Sequence, residues 1–463
     1  MDEYLYQSLL LSVLAVALLQ LAKLALRPRT RLPPGPWQLP VIGSMHHLVN
    51  VLPHRALREL ARVHGPLMML RLGETPLVVA SSRETARAVL KTHDANFATR
   101  PKLLAGGIVG YEWADILFSP SGDYWRKLRQ LCAAEVLSPV RGGGPEPQAR
   151  ALLPPHQGGR GECKAGWPRQ NNMQENTSVM LRVEEVRAAG PSTPVNLSEM
   201  FHALTNSIVA RAAFGKKRSN AAEFIAAVKA GVRLSSGFCV PDLFPTWTPL
   251  LARLTGMKRS LQDIHKTVDS ILQEIIDERK AIRDGKISSG AEENVVDENL
   301  VDVLIGLQEK GGFGFHLNNS RIKAIILDMF AGGTGTSGSA MEWAMSELMR
   351  NPTVMKKLQG QIREAFHGKA RVTEGDLQAS NLRYLKLVIK EALRLHPPAP
   401  LLAPHESIEA CELDGYTIPA RSRVLGVQEV DMAEAPGLGV RRRSPLMLCA
   451  TPFHPVAATS TTN

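Results

Sequence analysis

Cysteine is scarce in this chain: Cys132, Cys163, Cys239, Cys411 and Cys449 are scattered through 463 residues with no Cys-x-x-Cys pair. That excludes a disulfide scaffold and a zinc ribbon, and it points to a reducing compartment. Aromatic residues make up only 5% of the chain, and the formal charge of +11 is spread out rather than gathered into a basic patch. Without clustered cations and stacking rings, nucleic acid is not a partner the sequence indicates. No internal repeat can be drawn, which excludes a solenoid, and the sequence nominates no metal ligand of its own. What is present is enough apolar residue, 44% against 21% charged, to fill one extended domain or two ordinary ones.

Residues 1–27 read as a membrane anchor. The run LYQSLLLSVLAVALLQLAKLAL, from Leu5 to Leu26, carries one charge, Lys23, and about 20 apolar residues span a bilayer. Asp2 and Glu3 precede it while Arg27, Arg29 and Arg31 follow, so the positive-inside rule puts the bulk of the chain in the cytosol. A cleaved leader is the rival reading, but no small-x-small site follows the run. Residues 28–36 form a basic, proline-rich linker whose LPPGP cannot continue a helix.

The stretch 37–425 reads as the main domain. Leu57–Val63 has amphipathic helical spacing, and LMMLRLGETPLVVAS alternates about a Gly-Glu-Thr-Pro turn, which predicts a hairpin. SSRETARAVLKTHD has a serine start signal. From Leu197 the spacing predicts helices over 197–214, 221–236, 258–284, 297–309, 319–349, 352–366 and 381–395, with strands returning near Glu412–Leu425. The expected class is therefore mainly α with small β-sheets. One segment breaks the order at about 139–187: 12 of the 27 residues from Gly142 to Pro168 are Gly or Pro, a composition that holds no helix.

Three local features suggest chemistry. DMFAGGTGTSGSAMEW, 328–343, places four glycines inside an otherwise helical run. A phosphate loop would need a Gly-Lys-Ser/Thr after a strand, and no lysine is there. That leaves close helix packing, or glycines that let a flat ligand approach while Thr334, Thr336 and Ser337 supply hydroxyls. In KEALRLHPPAP, Glu391 and Arg394 share a helix face at i, i+3. In GDYWRKLRQLC, Trp125 and Arg129 share one at i, i+4, an aromatic and a cation that could meet a planar anion.

Taken in this order, the anchor, LPPGP, Trp-x-x-x-Arg, the Ala-Gly-Gly-Thr-x-Thr-Ser helix, Glu-x-x-Arg and HESIEACELDGYTIPA resemble a cytochrome P450 of the plant microsomal type. The resemblance covers roughly 1–138 and 188–425. It implies the P450 fold, a haem cofactor, an NADPH-dependent reductase as electron donor, and insertion of one oxygen atom from O2 into a lipophilic, terpenoid-like small molecule. It also implies an endoplasmic reticulum membrane location with a cytosolic globular domain. By position, Trp125 and Arg129, with His405, would contact the haem propionates. Ala331–Thr336, including Gly332, Gly333 and Gly335, would form the oxygen groove, with Thr336 aiding proton delivery, and Glu391 and Arg394 would lock the helix behind the haem.

Three departures accompany it. Gly335 stands where the family usually has an acid. The Gly/Pro-rich segment replaces one helix end and the next helix. After Leu425 the residues do not follow the family pattern, and 426–463 read as a non-family, disordered tail. The Phe-x-x-Gly-x-Arg-x-Cys-x-Gly loop that carries the axial thiolate is not spelled anywhere in the chain. Cys163 and Cys449 lack the loop's surroundings. Two readings follow: a haem-thiolate monooxygenase, or a haem-free, non-catalytic remnant of one. Asn176, Asn196 and Asn318 fit the glycosylation triplet, and a cytosolic domain makes these chance matches.

Overall fold

The computed structural model describes residues 31–136, 182–215, 220–289, 299–369, 372–426, 434–435, 441–442 and 444–449. In chain order its principal elements begin with α1 (Pro53–His64), β1 (Leu67–Leu72), β2 (Thr75–Ala80), α2 (Arg83–Arg87) and α3 (Asp123–Leu131). There follow β3 (Val195–Asn196), α4 (Leu197–Phe214), α5 (Ala221–Leu234), α6 (Met257–Ser289), α7 (Leu300–Lys310), α8 (Asn319–Arg350), α9 (Pro352–Ala365) and α10 (Arg383–Leu395). Then come β4 (His405–Glu406), β5 (Cys411–Leu413), β6 (Tyr416–Ile418), β7 (Arg423–Gly426), β8 (Glu434–Ala435), β9 (Arg441–Arg442) and β10 (Met447–Leu448). The class is mainly α with small sheets, as the sequence predicts. No helix among the described residues is long and apolar enough to cross a membrane. The expected anchor, 1–27, and most of the Gly/Pro-rich segment lie outside the described residues.

Contacts divide the chain into two compact units. Among the described residues the first holds 31–101, 238–251 and 404–426, and its centre is a sheet in the order β1-β2-β7-β4. β1 and β2 pair antiparallel about a two-residue turn, Gly73-Glu74. Gly73 takes φ +62°, and an added Cβ would come within 2.6 Å of the Leu243 carbonyl oxygen, so both conformation and space require glycine. β7 joins β2 in parallel, Leu77 opposite Arg423 through Ala80 opposite Gly426. Leu67, Val78, Ala80, Val89, Phe97, Leu413, Ile418 and Val424 form the apolar layer on this sheet. Ser82 starts α2 with a reciprocal capping box to Thr85.

The second unit is helical, and α4, α5, α6, α7 and α8 share its core. Phe214, Phe224 and Phe330 meet there, with Phe224 and Phe330 edge to face at 4.9 Å between centroids. The caps explain where these helices start. Asn196 Oδ1 accepts the Glu199 N–H at 3.1 Å, and Asn318 Oδ1 accepts the Arg321 N–H at 3.0 Å. Two of the three asparagine triplets are thus helix caps, with Asn-x-Ser arising because asparagine opens a helix there. Asn299 and Asp302 form a capping box for α7, and Arg279 of α6 donates from Nε and Nη2 to the two carboxylate oxygens of Asp302.

The tail enters this unit. β10 pairs antiparallel with β3, Met447 opposite Asn196, and Leu446 is buried. Its N–H donates to Ser198 Oγ at 2.7 Å, and Arg442 Nη1 donates to Ser346 Oγ at 2.5 Å. The disorder expected for 426–463 therefore does not hold for Arg442 or for Leu446–Leu448.

Candidate active site

α8 runs unbroken through all its glycines. Its N-terminal half pays for nothing in propensity: Ile322, Ala324, Ile325, Ile326, Leu327 and Phe330 are buried in the helical core, and that burial offsets glycine's cost of about 1 kcal/mol per residue against alanine. The glycines then divide by face. Gly333 lies against Val209 of α4, where an added Cβ would come within 3.2 Å, and Gly338 lies under the His202 ring, where a Cβ would collide. On the other face, a Cβ at Gly332 or Gly335 would meet nothing within 4 Å. Half the glycines therefore serve close packing, and half leave a bare, open face.

The hydroxyls follow the same division. Thr334 is buried and its Oγ1 donates to the Phe330 carbonyl at 2.8 Å. Thr336 is half-buried beside the open face, and its Oγ1 donates to the Gly332 carbonyl one turn back. This back-bond stores the hydroxyl proton at a carbonyl that borders the open space, within reach of a ligand that displaces it.

On α3, Arg129 lies over the Trp125 ring at 4.7 Å, as the i, i+4 spacing implies. The Trp125 indole N–H donates to the Ile116 carbonyl at 3.1 Å. Trp125 thus positions backbone, while Arg129 is exposed and pairs with no carboxylate among the described residues. Glu391 and Arg394 make a two-point ion pair, 2.9 and 2.7 Å, and Arg394 holds the Glu391 carboxyl below the usual range. Their side chains are 57% and 58% exposed, so the pair lies at the surface of α10.

His405 belongs to the first unit. Its Nδ1–H donates to the Phe97 carbonyl at 2.8 Å, and burial followed by the neighbouring Arg100 pushes its pKa down. It is a neutral imidazole with a fixed tautomer. Arg100, whose Nη1 donates to the Pro404 carbonyl at 3.0 Å, is a cation the sequence reading missed. The Arg-Pro after Phe-Ala-Thr was its only signal.

The second miss is a pair of acids. Asp328 of α8 accepts the N–H of Ile116 at 2.6 Å and of Leu117 at 3.3 Å, and Asp115 accepts the N–H of Phe118 at 2.8 Å. Burial pushes Asp328 up to about 7 and, with Asp328 adding to it, raises Asp115 well above the usual carboxylate range. A carboxylate in the apolar run IILDMF was the available signal.

The family model for cytochrome P450 matches residues 33–146 and 168–427. Premnaspirodiene oxygenase of Hyoscyamus muticus is 44% identical over 85% of this chain and 72% of its own length. Desmethyl-deoxy-podophyllotoxin synthase of Sinopodophyllum hexandrum is 42% identical over 91% and 77%. A solved structure of a zebra fish cytochrome P450 with abiraterone superposes with a TM-score of 0.59 at 19% identity, covering 81% of this chain and 77% of that one. It shares the fold. The chain belongs to the cytochrome P450 family, and its relatives place it in the plant A-type branch.

Haem is the cofactor of this family. The bare Gly332–Gly335 face and the uncommitted guanidinium of Arg129 suit a flat, dianionic group. The described cysteines do not suit its iron. Cys132 is buried in the helical core, where burial pushes its thiol up to about 12. Cys239 and Cys411 lie in the first unit and Cys449 is exposed beside β10. Cys163 lies outside the described residues. No group of three metal-ligating side chains occurs among the described residues.

Proposed function

We propose that this fold is built for monooxygenation: insertion of one oxygen atom from O2 into a lipophilic, terpenoid-like small molecule, with electrons from an NADPH-dependent reductase at the endoplasmic reticulum membrane. The observation that carries it is the open face of α8, where Gly332 and Gly335 clear space and Thr336 borders it. The relatives' names, an oxygenase of premnaspirodiene and a 5-epiaristolochene dihydroxylase among them, support the substrate class. In this reading Arg129 holds a propionate and Thr336 releases its proton from the Gly332 carbonyl toward the open face. The test is incubation of the membrane-extracted chain with reductase, NADPH and a sesquiterpene hydrocarbon. A product heavier by one oxygen atom supports the reading, and unchanged substrate under conditions where a relative turns over counts against it.

A second reading is favoured by one observation: no cysteine among the described residues suits a haem iron. On that reading the chain keeps the oxygen-side helices of the family but holds no haem, and it is a non-catalytic remnant. The surface position of Glu391 and Arg394 fits this, because a lock behind a haem works only when it is packed.

A further inference from the structure

The first unit leaves apolar side chains in water on two segments distant in sequence. Trp37, Val41 and Ile42 follow the proline-rich linker, while Val240, Trp247 and Leu250 lie in 238–251, and these six are 37–63% exposed. The β1–β2 turn brings the two segments together. The Gly73 N–H donates to the Ile42 carbonyl at 3.1 Å and the Glu74 N–H to the Leu243 carbonyl at 2.9 Å, while Glu74 Oε2 accepts the Thr246 N–H at 2.9 Å. Each residue of one turn therefore fastens an apolar segment, and exposed apolar patches of this kind mark a contact surface.

Val41 sharpens the point. It takes φ +66°, a left-handed conformation that strains a β-branched side chain and suits glycine or asparagine. An exposed valine there gains nothing in water. Trp37 stacks on His46 with ring centroids 4.1 Å apart, so the exposed indole is held in place.

The linker fixes what covers this face. The Arg31 carbonyl accepts the Thr417 N–H at 2.8 Å and the Pro34 carbonyl the Met69 N–H at 2.8 Å, which ties 31–34 to the first unit. Arg31 follows Leu26, the end of the apolar run, by five positions. Five extended residues reach at most about 18 Å, so a bilayer crossed by that run lies within that distance of Arg31.

We propose that Trp37, Val41, Ile42, Val240, Trp247 and Leu250 form an interfacial platform that sits in the headgroup–acyl boundary of the membrane, with the Gly73-Glu74 turn as its bracket. This rests on the membrane location proposed above. Tryptophan belongs at that boundary, where its ring is buried and its N–H stays hydrated. Shallow burial of apolar side chains adds membrane affinity without a second crossing.

Tryptophan quenching tests it, with the full chain in vesicles of phosphatidylcholine brominated near the top of its acyl chains. The run 5–26 holds no tryptophan, so the anchor itself is silent. The unaltered chain should be quenched, and Trp37→Phe combined with Trp247→Phe, which keeps a ring at each position, should remove most of that quenching. Flotation of the vesicles separates platform from anchor. A chain that floats unquenched, or a double variant quenched as strongly as the unaltered chain, overturns the platform and leaves the membrane location standing; cross-linking into pairs would then assign the face to a second copy. A chain that does not float overturns both.

Discussion

His396 stacks on Trp343 with ring centroids 4.2 Å apart and planes 4° apart, and its Nε2 lies 2.8 Å from Glu347 Oε1. Both rings are buried, at 3% and 1% exposure. One imidazole thereby fastens the end of α10 to the C-terminal half of α8. His396→Ala removes the stack and a buried partner of Glu347, and should destabilise the chain by roughly 1–3 kcal/mol. Urea unfolding measures it, and an unmoved midpoint would show that the stack contributes nothing.

The two glycine faces of α8 predict opposite effects from the same substitution. Gly338→Ala drives a methyl into the His202 ring and should cost about 1–3 kcal/mol. Gly335→Ala meets open space and should be neutral or stabilising by up to about 1 kcal/mol through helix propensity. Equal effects in paired unfolding curves would mean the faces are not distinct.

The exposed Glu391–Arg394 pair should matter little. Glu391→Ala is expected to change stability by less than about 0.5 kcal/mol, because solvent screens such a pair. A loss several times larger would show that something covers this face of α10.

Stability should fall as pH rises through neutrality. The ordinary Asp value is 3.8 and burial lifts Asp328 to about 7. A raised folded value favours the protonated form, so its contribution is complete below the ordinary value and is lost as pH rises through about 7. The thermal midpoint of the unaltered chain should drop from about pH 6 to about pH 8, and Asp328→Asn should flatten that slope. An identical slope in the variant removes Asp328 from the account.

The helices were legible because their apolar periods are long: the expected 197–214 coincides with α4, and 319–349 differs from α8 by one residue. The hairpin followed from its turn chemistry. What each glycine of α8 faces was not legible, since Val209 and His202 sit on another helix and the open face is defined by what is missing. The Asp328 tie to Ile116 spans 212 residues, beyond any local pattern. Trp125 was read from spacing alone, which gives its face but not that its N–H already holds the Ile116 carbonyl. The tail was read as disorder because it does not follow the family pattern, yet Met447 and Leu448 pair with β3 and Leu446 is buried.

The central claim is that the open face of α8 serves haem-based monooxygenation. Haem retention by the membrane-extracted full chain, read with its carbon monoxide difference spectrum after reduction, tests it most directly. The account predicts bound haem that takes up carbon monoxide. Haem-free protein would contradict it and leave the non-catalytic reading.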